Sequence, residues 1–166
     1  MKIGLLSDTH GFLHPRLEKL FRDADEIWHA GDIGDIKTFQ KLSQVKSLRA
    51  VYGNIDGGEL RRECKAELVF YCEEVKVAIL HIGGYPGRYD RRALELIRAE
   101  NPALFICGHS HILKVMYDEK NRLLFMNPGA AGKFGFHLSI TALRFVIEGK
   151  NIKDLEVLDI PRNSEK

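Results

Sequence analysis

The sequence contains little cysteine and no disulfide pattern. Its three cysteines, Cys64, Cys72 and Cys107, are odd in number and irregularly spaced. A disulfide framework in a secreted domain needs paired cysteines, so these residues fit reduced thiols better. We therefore expect a cytoplasmic protein without disulfide bonds.

The chain also lacks long apolar runs and a strong charge of either sign. No run approaches the roughly 18 apolar residues that a membrane helix needs. Charged residues follow the start too soon, at Lys2 and Asp8, for a signal peptide. The net charge of +2 is too small to indicate a nucleic-acid or membrane partner. These absences argue against both classes of partner.

What remains is the composition of an ordinary globular domain. The 166 residues are 45% hydrophobic and 29% charged, which is enough to bury a core. The sequence has no internal repeat, low-complexity segment or linker. We expect a single domain over residues 1–162, followed by a loose tail at 163–166.

Short apolar runs alternate with amphipathic segments in the first third of the chain. This pattern predicts strands at 3–6, 26–30 and 48–52, with helices at 15–21 and 35–44 between them. Strands that alternate with helices are typical of a parallel sheet with right-handed crossovers.

The rest of the chain is predicted to be mainly antiparallel, with one helix at 91–100. Paired apolar runs separated by turn residues indicate hairpins. The glycine-rich stretch 83–87 is predicted to be a flexible loop, either a mobile pocket lip or a simple connection. Two sheets packed face to face, with helices outside, would bury both sets of strands. The predicted strands are 67–71, 75–81, 104–107, 112–117, 123–126, 139–147 and 152–158.

Metal-ligating residue types follow the ends of the apolar runs. His109 and His111, one residue apart, can project to the same side of extended backbone. Parallel α/β sheets bind ligands at the carboxyl ends of their strands, which would bring such residues to one rim. The candidate metal ligands are Asp8, His10, Asp32, Asn54, His81, His109 and His111.

These seven residues give each of two metal ions four protein ligands if Asp32 bridges. One set is Asp8, His10, Asp32 and His111, and the other is Asp32, Asn54, His81 and His109. The mixed nitrogen and oxygen donors suit Mn²⁺, Fe, Co²⁺, Ni²⁺ or Zn²⁺. The absence of thiolate argues against a structural zinc site, and four histidines argue against Ca²⁺ or Mg²⁺.

Charge indicates the class of substrate. Two divalent ions about 3.5–4 Å apart can hold a bridging hydroxide and clamp a phosphoryl group for in-line attack. With the carboxylates of Asp8 and Asp32 and one hydroxide, the formal charge is about +1, which attracts a phosphate ester. Asn54 can coordinate through its carbonyl oxygen while its NH₂ group donates to a phosphoryl oxygen.

In this order, the residues resemble the motif set of the calcineurin-like metallophosphoesterases. The motifs are Asp8-Thr9-His10, Gly31-Asp32-Ile33-Gly34-Asp35, Gly53-Asn54, His81 and Gly108-His109-Ser110-His111, and the match continues to Asn127-Pro128-Gly129. The size and the Gly-Asn-x-Asp form of the third motif are similar to the small YfcE-like phosphodiesterases.

The resemblance implies an α/β fold, a four-layer α-β-β-α sandwich of two mixed β-sheets. It also implies two divalent metal ions, with Mn²⁺ expected first and Ni²⁺, Co²⁺, Fe or Zn²⁺ as alternatives. The expected substrate is a small phosphodiester, and a homodimer is compatible with the resemblance, which leaves the oligomeric state open. On this basis Asn54, Asp32 and Asp56 are the predicted catalytic residues.

The chain departs from the family pattern at several positions. Many members have a histidine, a proton donor to the leaving group, where this chain has Ile55. Water, or Asp56 acting indirectly, could replace it, so esters with good leaving groups are the expected test substrates. A second histidine of the YfcE-like group is replaced in His81-Ile82-Gly83, and Ala130-Ala131 stands where a serine is common.

Several residues have structural interpretations as well. Asp35 and Asp56 are expected to support ligands or cap helices rather than bind metal. His29 lies among apolar residues and is predicted to be buried and hydrogen-bonded. His14 and His137 are predicted to lie at the surface or on a pocket rim.

Two other functions stay open at this stage. The retromer complex contains a subunit on this fold that serves as a binding scaffold, and the replacement at Ile55 is compatible with such a role. A phosphomonoesterase could use the same site. The complete ligand set favours a phosphodiesterase over both.

Overall fold

The computed structural model describes residues 1–135 and 138–162, and within them the chain forms twelve strands and four helices. The predicted tail at 163–166 and His137 lie outside the described residues.

The first sheet is mixed and contains the N-terminal strands. Its order is β12 (Asn151–Pro161), β11 (Ser139–Glu148), β1 (Lys2–Leu6), β2 (Glu26–His29) and β3 (Ser47–Ala50). β1, β2 and β3 are parallel, whereas β11 and β12 are antiparallel to their neighbours. The predicted parallel arrangement of the first three strands is confirmed.

The second sheet is also mixed. Its order is β4 (Glu67–Cys72), β5 (Val75–Leu80), β8 (Leu104–Ile106), β10 (Leu123–Pro128) and β9 (Leu113–Asp118). The central strands β5, β8 and β10 are parallel, and β4 and β9 pair with them through antiparallel hairpins.

A two-stranded hairpin stands apart from these sheets. It consists of β6 (Gly84–Tyr85) and β7 (Arg88–Tyr89). Gly84 and Gly87 have φ values of 72° and 89°, which glycine adopts without a steric penalty. The prediction of a flexible loop at 83–87 was therefore wrong in part, because Gly84 and Tyr85 form a strand and Pro86-Gly87 forms the turn of a hairpin.

Local capping sets the helix boundaries. The helices are α1 (Pro15–Phe21), α2 (Ile36–Val45), α3 (Gly58–Glu63) and α4 (Arg91–Glu100). Asp35 begins α2 by accepting a hydrogen bond from the Thr38 N–H, as its capping role predicts. Asn101 ends α4 in the left-handed conformation. His14 is the residue before α1 and caps it, because its Nδ1 accepts a hydrogen bond from the Arg16 N–H. His14 is buried, so the prediction that it lies at the surface or on a pocket rim was wrong.

Three apolar layers hold the sheets and helices together. Ile3 and Leu5 of β1 face the second sheet, where they join Val77 and Ile79, while Leu6 faces the outer helices. This alternation explains why a buried strand reads as one apolar run. Leu17, Phe21 and Leu42 cover the first sheet, and Ala93 and Ile97 of α4 cover the second. The predicted four-layer α-β-β-α sandwich is confirmed.

Among the described residues, no helix has the length and apolar character needed to cross a membrane.

Candidate metal centre

The predicted ligands follow the carboxyl ends of parallel strands in both sheets. β1, β2 and β3 lead to ligands from the first sheet, and β5 and β8 lead to ligands from the second. Because the sheets face each other, the loops after these strands meet at one rim. Two groups of ligand atoms form there, one made of Asp8, His10 and His111 and the other of Asp32, His81 and His109.

The first group surrounds a buried carboxylate. Within it, one ligand atom from each residue lies within 4.8 Å of the others. Asp8 is fully buried, and its Oδ1 accepts no hydrogen bond from the described residues. His111 Nε2 lies 3.1 Å from this oxygen and 3.3 Å from His10 Nε2. The Asp8 carboxylate raises the pKa of His111, although burial opposes the rise.

The second group is organised by His81. Its Nδ1 donates to the Ala30 carbonyl oxygen at 2.7 Å, which orients the ring. Its Nε2 then lies 3.1 Å from Asn54 Oδ1 and 3.2 Å from Asp32 Oδ1. Burial opposes a charge on His81, but the hydrogen bond with Asp32 and the charge of Asp8 raise its pKa. An imidazole held by a carbonyl in this way is typical of metal-binding histidines.

Asp32 lies between the two groups. Its Oδ1 faces His81, and its Oδ2 lies 3.9 Å from His10 Nε2. The carboxyl is buried, and the hydrogen bond with His81 nevertheless lowers the pKa of Asp32. One carboxylate thus presents an oxygen to each group, which is the geometry that a bridging ligand requires.

The loops hold several of these residues in an uncommon backbone conformation. Asp8, His10, Asp32, His109 and His111 have φ values from 50° to 66°. Asp and His tolerate this region better than most residues, but each such position still costs about 1–3 kcal/mol. Hydrogen bonds between loops offset the cost: the N–H groups of residues 8, 10 and 108 donate to the carbonyl oxygens of residues 31, 32 and 81.

Asp56 joins the loops after β2 and β3. Its two carboxylate oxygens accept from the backbone N–H groups of Ile33, Gly34 and Gly53, at 2.7–3.1 Å. Asp56 is buried, and both oxygens are occupied. These contacts give it a positioning role, and they do not support proton donation by Asp56 to a leaving group.

Replacing Asp56 with asparagine is expected to destabilise the protein by roughly 3 kcal/mol, because one acceptor becomes a donor that faces backbone N–H groups. Urea unfolding of the metal-free protein measures the change. Asp35→Asn is the matched control, since Asn and Asp are equivalent caps. Equal stability of the two variants would contradict the positioning role.

His29 lies behind the ligands and is buried, as predicted. Its Nδ1 accepts from the Gly31 N–H at 3.1 Å, so its Nε2 carries the proton and donates to Thr9 Oγ1 at 2.9 Å. Thr9 Oγ1 in turn donates to the Ile33 carbonyl oxygen. Burial lowers the pKa of His29 to about 4, which keeps the ring neutral at pH 7.

Sequence reasoning missed two residues with positioning contacts. Asn127 donates from Nδ2 to the Gly108 carbonyl oxygen at 2.9 Å and to Ser110 Oγ at 3.1 Å, so it holds the loop that carries the histidine pair. Its place after an apolar strand and before Pro-Gly could have indicated this role. Arg61, on α3, was missed because that helix contains a single apolar residue and no periodic pattern.

The positions that depart from the family pattern differ in exposure, because Ala130 and Ala131 are buried whereas Ile55 and Ile82 lie at the rim. Ile55 and Ile82 are 47% and 39% exposed and present apolar side chains there. Ile55 contributes only its N–H, which donates to Asp32 Oδ1 at 3.1 Å. Neither position offers a proton to a leaving group.

Comparison with known families supports this arrangement. The model of the calcineurin-like phosphoesterase superfamily domain matches residues 1–150. The chain belongs to this superfamily. It is therefore a metallophosphoesterase-family protein, a class of hydrolases that use divalent metal ions.

Relatives and solved structures agree with this assignment. A probable metallophosphoesterase from Methanocaldococcus jannaschii is 31% identical over 138 residues, which cover 78% of this chain and 68% of that protein. An archaeal phosphodiesterase structure has a TM-score of 0.74 at 22% identity, covering 95% of this chain and 100% of that one. Vps29 from Entamoeba histolytica complexed with Zn²⁺ has a TM-score of 0.75 at 16% identity, covering 98% and 100%. The two structural similarities establish the fold alone.

The residues of the superfamily site fit divalent cations. The Asp8 oxygen without a hydrogen bond and the facing nitrogens of His10 and His111 form a cluster of electron-pair donors. Buried carboxylates and imidazoles this close together are stabilised by a bound cation. The donor set, nitrogen and oxygen without sulfur, suits a transition metal.

Proposed function

We propose that this protein is a dinuclear metal-dependent phosphodiesterase. Asp8, His10, Asp32 and His111 would hold one ion, and Asp32, Asn54, His81 and His109 would hold the other. The single observation that carries the proposal is the position of Asp32, whose carboxylate oxygens face the two groups of ligands separately.

The chemistry of the pair follows from general principles. Two bound divalent ions would polarise the phosphoryl group and generate a nucleophile from water at neutral pH. Residues of the chain orient the groups that would take part in the reaction. The Ala30 carbonyl fixes the His81 ring. The half-exposed rim leaves the Asn54 amide accessible to a phosphoryl oxygen, to which it would donate a hydrogen bond.

A preference for diesters with good leaving groups is part of the proposal. At the rim, Ile55 and Ile82 provide apolar contact for an ester arm but no proton for a departing oxygen. A weakly basic leaving group such as p-nitrophenolate needs no general acid. A small phosphodiester is therefore the proposed substrate class, with Mn²⁺ the first metal to test, and the cytoplasmic location remains a prediction.

Reconstitution with metal tests the proposal. Protein stripped with a chelator and supplied with Mn²⁺ is expected to hydrolyse bis-p-nitrophenyl phosphate at least about 100-fold faster than the metal-free protein. Release of p-nitrophenolate measures the rate, and elemental analysis measures two ions per chain. Inactivity with Mn²⁺, Ni²⁺, Co²⁺ and Zn²⁺ alike would refute it.

The same assay distinguishes the proposed phosphodiesterase from a phosphomonoesterase and from a binding scaffold. A phosphomonoesterase would prefer p-nitrophenyl phosphate to the diester in kcat/KM. A scaffold would turn over neither ester, and its partner binding would survive loss of the ligands. The complete ligand set at one rim favours the enzyme over the scaffold.

A further inference from the structure

A small cavity adjoins the Asn54 and His81 side of the candidate metal centre. Its volume is about 230 Å³, and it opens to solvent at the rim. The lining combines these two predicted ligands with the aromatic residue Tyr52, the apolar residue Ile82 and the cationic residue Arg61. The cavity therefore begins at the proposed reaction centre and continues past it.

Arg61 is held in place by two contacts. Its Nε donates to the Asp56 carbonyl oxygen at 2.8 Å. Its Cζ lies 4.6 Å from the centroid of the Tyr52 ring, in a cation–π contact. Asp56 itself joins the metal-site loops, so the guanidinium is fixed relative to the ligands. A planar cation pre-oriented in this way loses little freedom when it binds an anion.

The terminal nitrogens of Arg61 are available. Across residues 1–135 and 138–162, no carboxylate lies within 4.0 Å of its guanidinium nitrogens. The second arginine of the cavity differs, because Arg92 pairs with Glu67 at 3.1 Å. The cavity's carboxylate, Asp90, accepts from the Arg92 N–H as the cap of α4. Arg61 is thus the cation in this cavity that is free to bind an added anion.

We propose that Arg61 binds a negatively charged group on the ester arm that stays attached to phosphorus, which makes the substrate a phosphodiester with an anionic arm. The inference rests on the phosphodiesterase function proposed above and names its substrate class. A guanidinium group recognises a carboxylate or a second phosphate through paired N–H donors. Tyr52 and Ile82 contact the short apolar part of the arm.

The size of the cavity limits the arm. At about 230 Å³ it is smaller than the roughly 300–1,000 Å³ of sites for drug-sized ligands. It suits a compact chain with a carboxylate or phosphate better than a nucleoside. A cationic group at the end of the arm would lie next to the positive charge of Arg61, and repulsion between the two would weaken binding.

Three esters with the same leaving group test the proposal. They are the ethyl, 2-carboxyethyl and 2-trimethylammonioethyl p-nitrophenyl phosphates, assayed with the Mn²⁺-loaded protein. The carboxyethyl ester is expected to have a kcat/KM about tenfold above that of the ethyl ester, mainly through KM, since a charged hydrogen bond is worth about this factor. The trimethylammonioethyl ester is expected to be the poorest.

Substitution of Arg61 provides the decisive comparison. Arg61→Gln is expected to remove the preference, so that the carboxyethyl and ethyl esters react within about twofold of each other. Arg61→Lys should retain part of it, because the charge remains. Arg62→Gln, on the same exposed helix, is the matched control and should keep the full preference.

The ratio of kcat/KM for the carboxyethyl ester to that for the ethyl ester distinguishes loss of anion recognition from structural damage. A disturbance of the Asp56 loop would lower both rates together and leave the preference unchanged, which would overturn the proposal. Equal rates for both esters in the unmodified protein would overturn it as well, while leaving the phosphodiesterase function intact. Failure to hydrolyse any of the esters with Mn²⁺, Ni²⁺, Co²⁺ or Zn²⁺ would refute the function and, with it, the role of Arg61.

Discussion

Asp32→Ala is expected to lower kcat for bis-p-nitrophenyl phosphate at least about 100-fold. Mutation of residues that merely orient metal ligands typically costs 10–100-fold in activity or affinity. Asp32 faces both ligand groups, with Oδ1 3.2 Å from His81 Nε2 and Oδ2 3.9 Å from His10 Nε2. Its removal therefore weakens both halves of the centre at once.

Two measurements check this expectation. Elemental analysis should show a metal content well below that of the unmodified protein, and circular dichroism should show an unchanged fold. Asp23→Ala, which removes an exposed carboxylate in the turn after α1, is the control and should retain full activity. Normal turnover by Asp32→Ala would end the proposal that this carboxylate is shared by two ions.

Gly53→Ala should impair the site as severely without replacing a metal ligand. A Cβ at this position would lie closer than 3.0 Å to Asp32 Oδ1 and to the Asp32 backbone nitrogen, a contact that real Cβ atoms essentially never make. The Asp32 backbone is held by a hydrogen bond from the His10 N–H to its carbonyl oxygen, so the carboxylate must move from its position. We expect at least about a 100-fold loss of activity and a loss of about 1–3 kcal/mol of stability from overpacking.

Gly57→Ala is the matched control for this substitution. Nothing lies within 4 Å of a Cβ at residue 57, and its φ of −82° is accessible to alanine. This variant should have the same thermal stability and the same diesterase activity as the unmodified protein. If Gly53→Ala retained its metal and its rate, the packing of the loop after β3 against Asp32 would have no part in forming the site.

Much of the fold was predictable because local and tertiary preferences agree. α1 and α4 have the predicted boundaries, since Pro15 and the Asn101-Pro102 pair define an end of each helix independently of packing. β1 is apolar and buried from Ile3 to Leu6 and so stands out in the sequence, whereas β3 contains the half-buried Arg49. The candidate ligands could be chosen from the sequence because a metal accepts few residue types, and each candidate follows a strand end.

Other features had no local signal. α3 has one buried residue, Leu60, and forms because Leu60 packs with Ile33 and Cys64. His14 could not be distinguished from a surface histidine without α1 and its neighbours in place. The positioning contacts of Asp56 join the loops after β2 and β3, which approach each other only when those strands pair. The contact of Arg61 with the Asp56 carbonyl oxygen is local, but no sequence motif marks it.

The sequence by itself determined the order of the ten strands of the two large sheets and of α1, α2 and α4. It also determined the residue types of the candidate metal centre and their placement at strand ends, because each depends on short-range pattern and chemistry. Only the tertiary structure decided that Asp32 lies between two ligand groups, that Asp56 is fully occupied by backbone N–H groups, and that Arg61 is left available beside the site. The first of these facts depends on distances between loops from opposite sheets, and the other two depend on how the segments after β2 and β3 pack together. No local pattern encodes such distances.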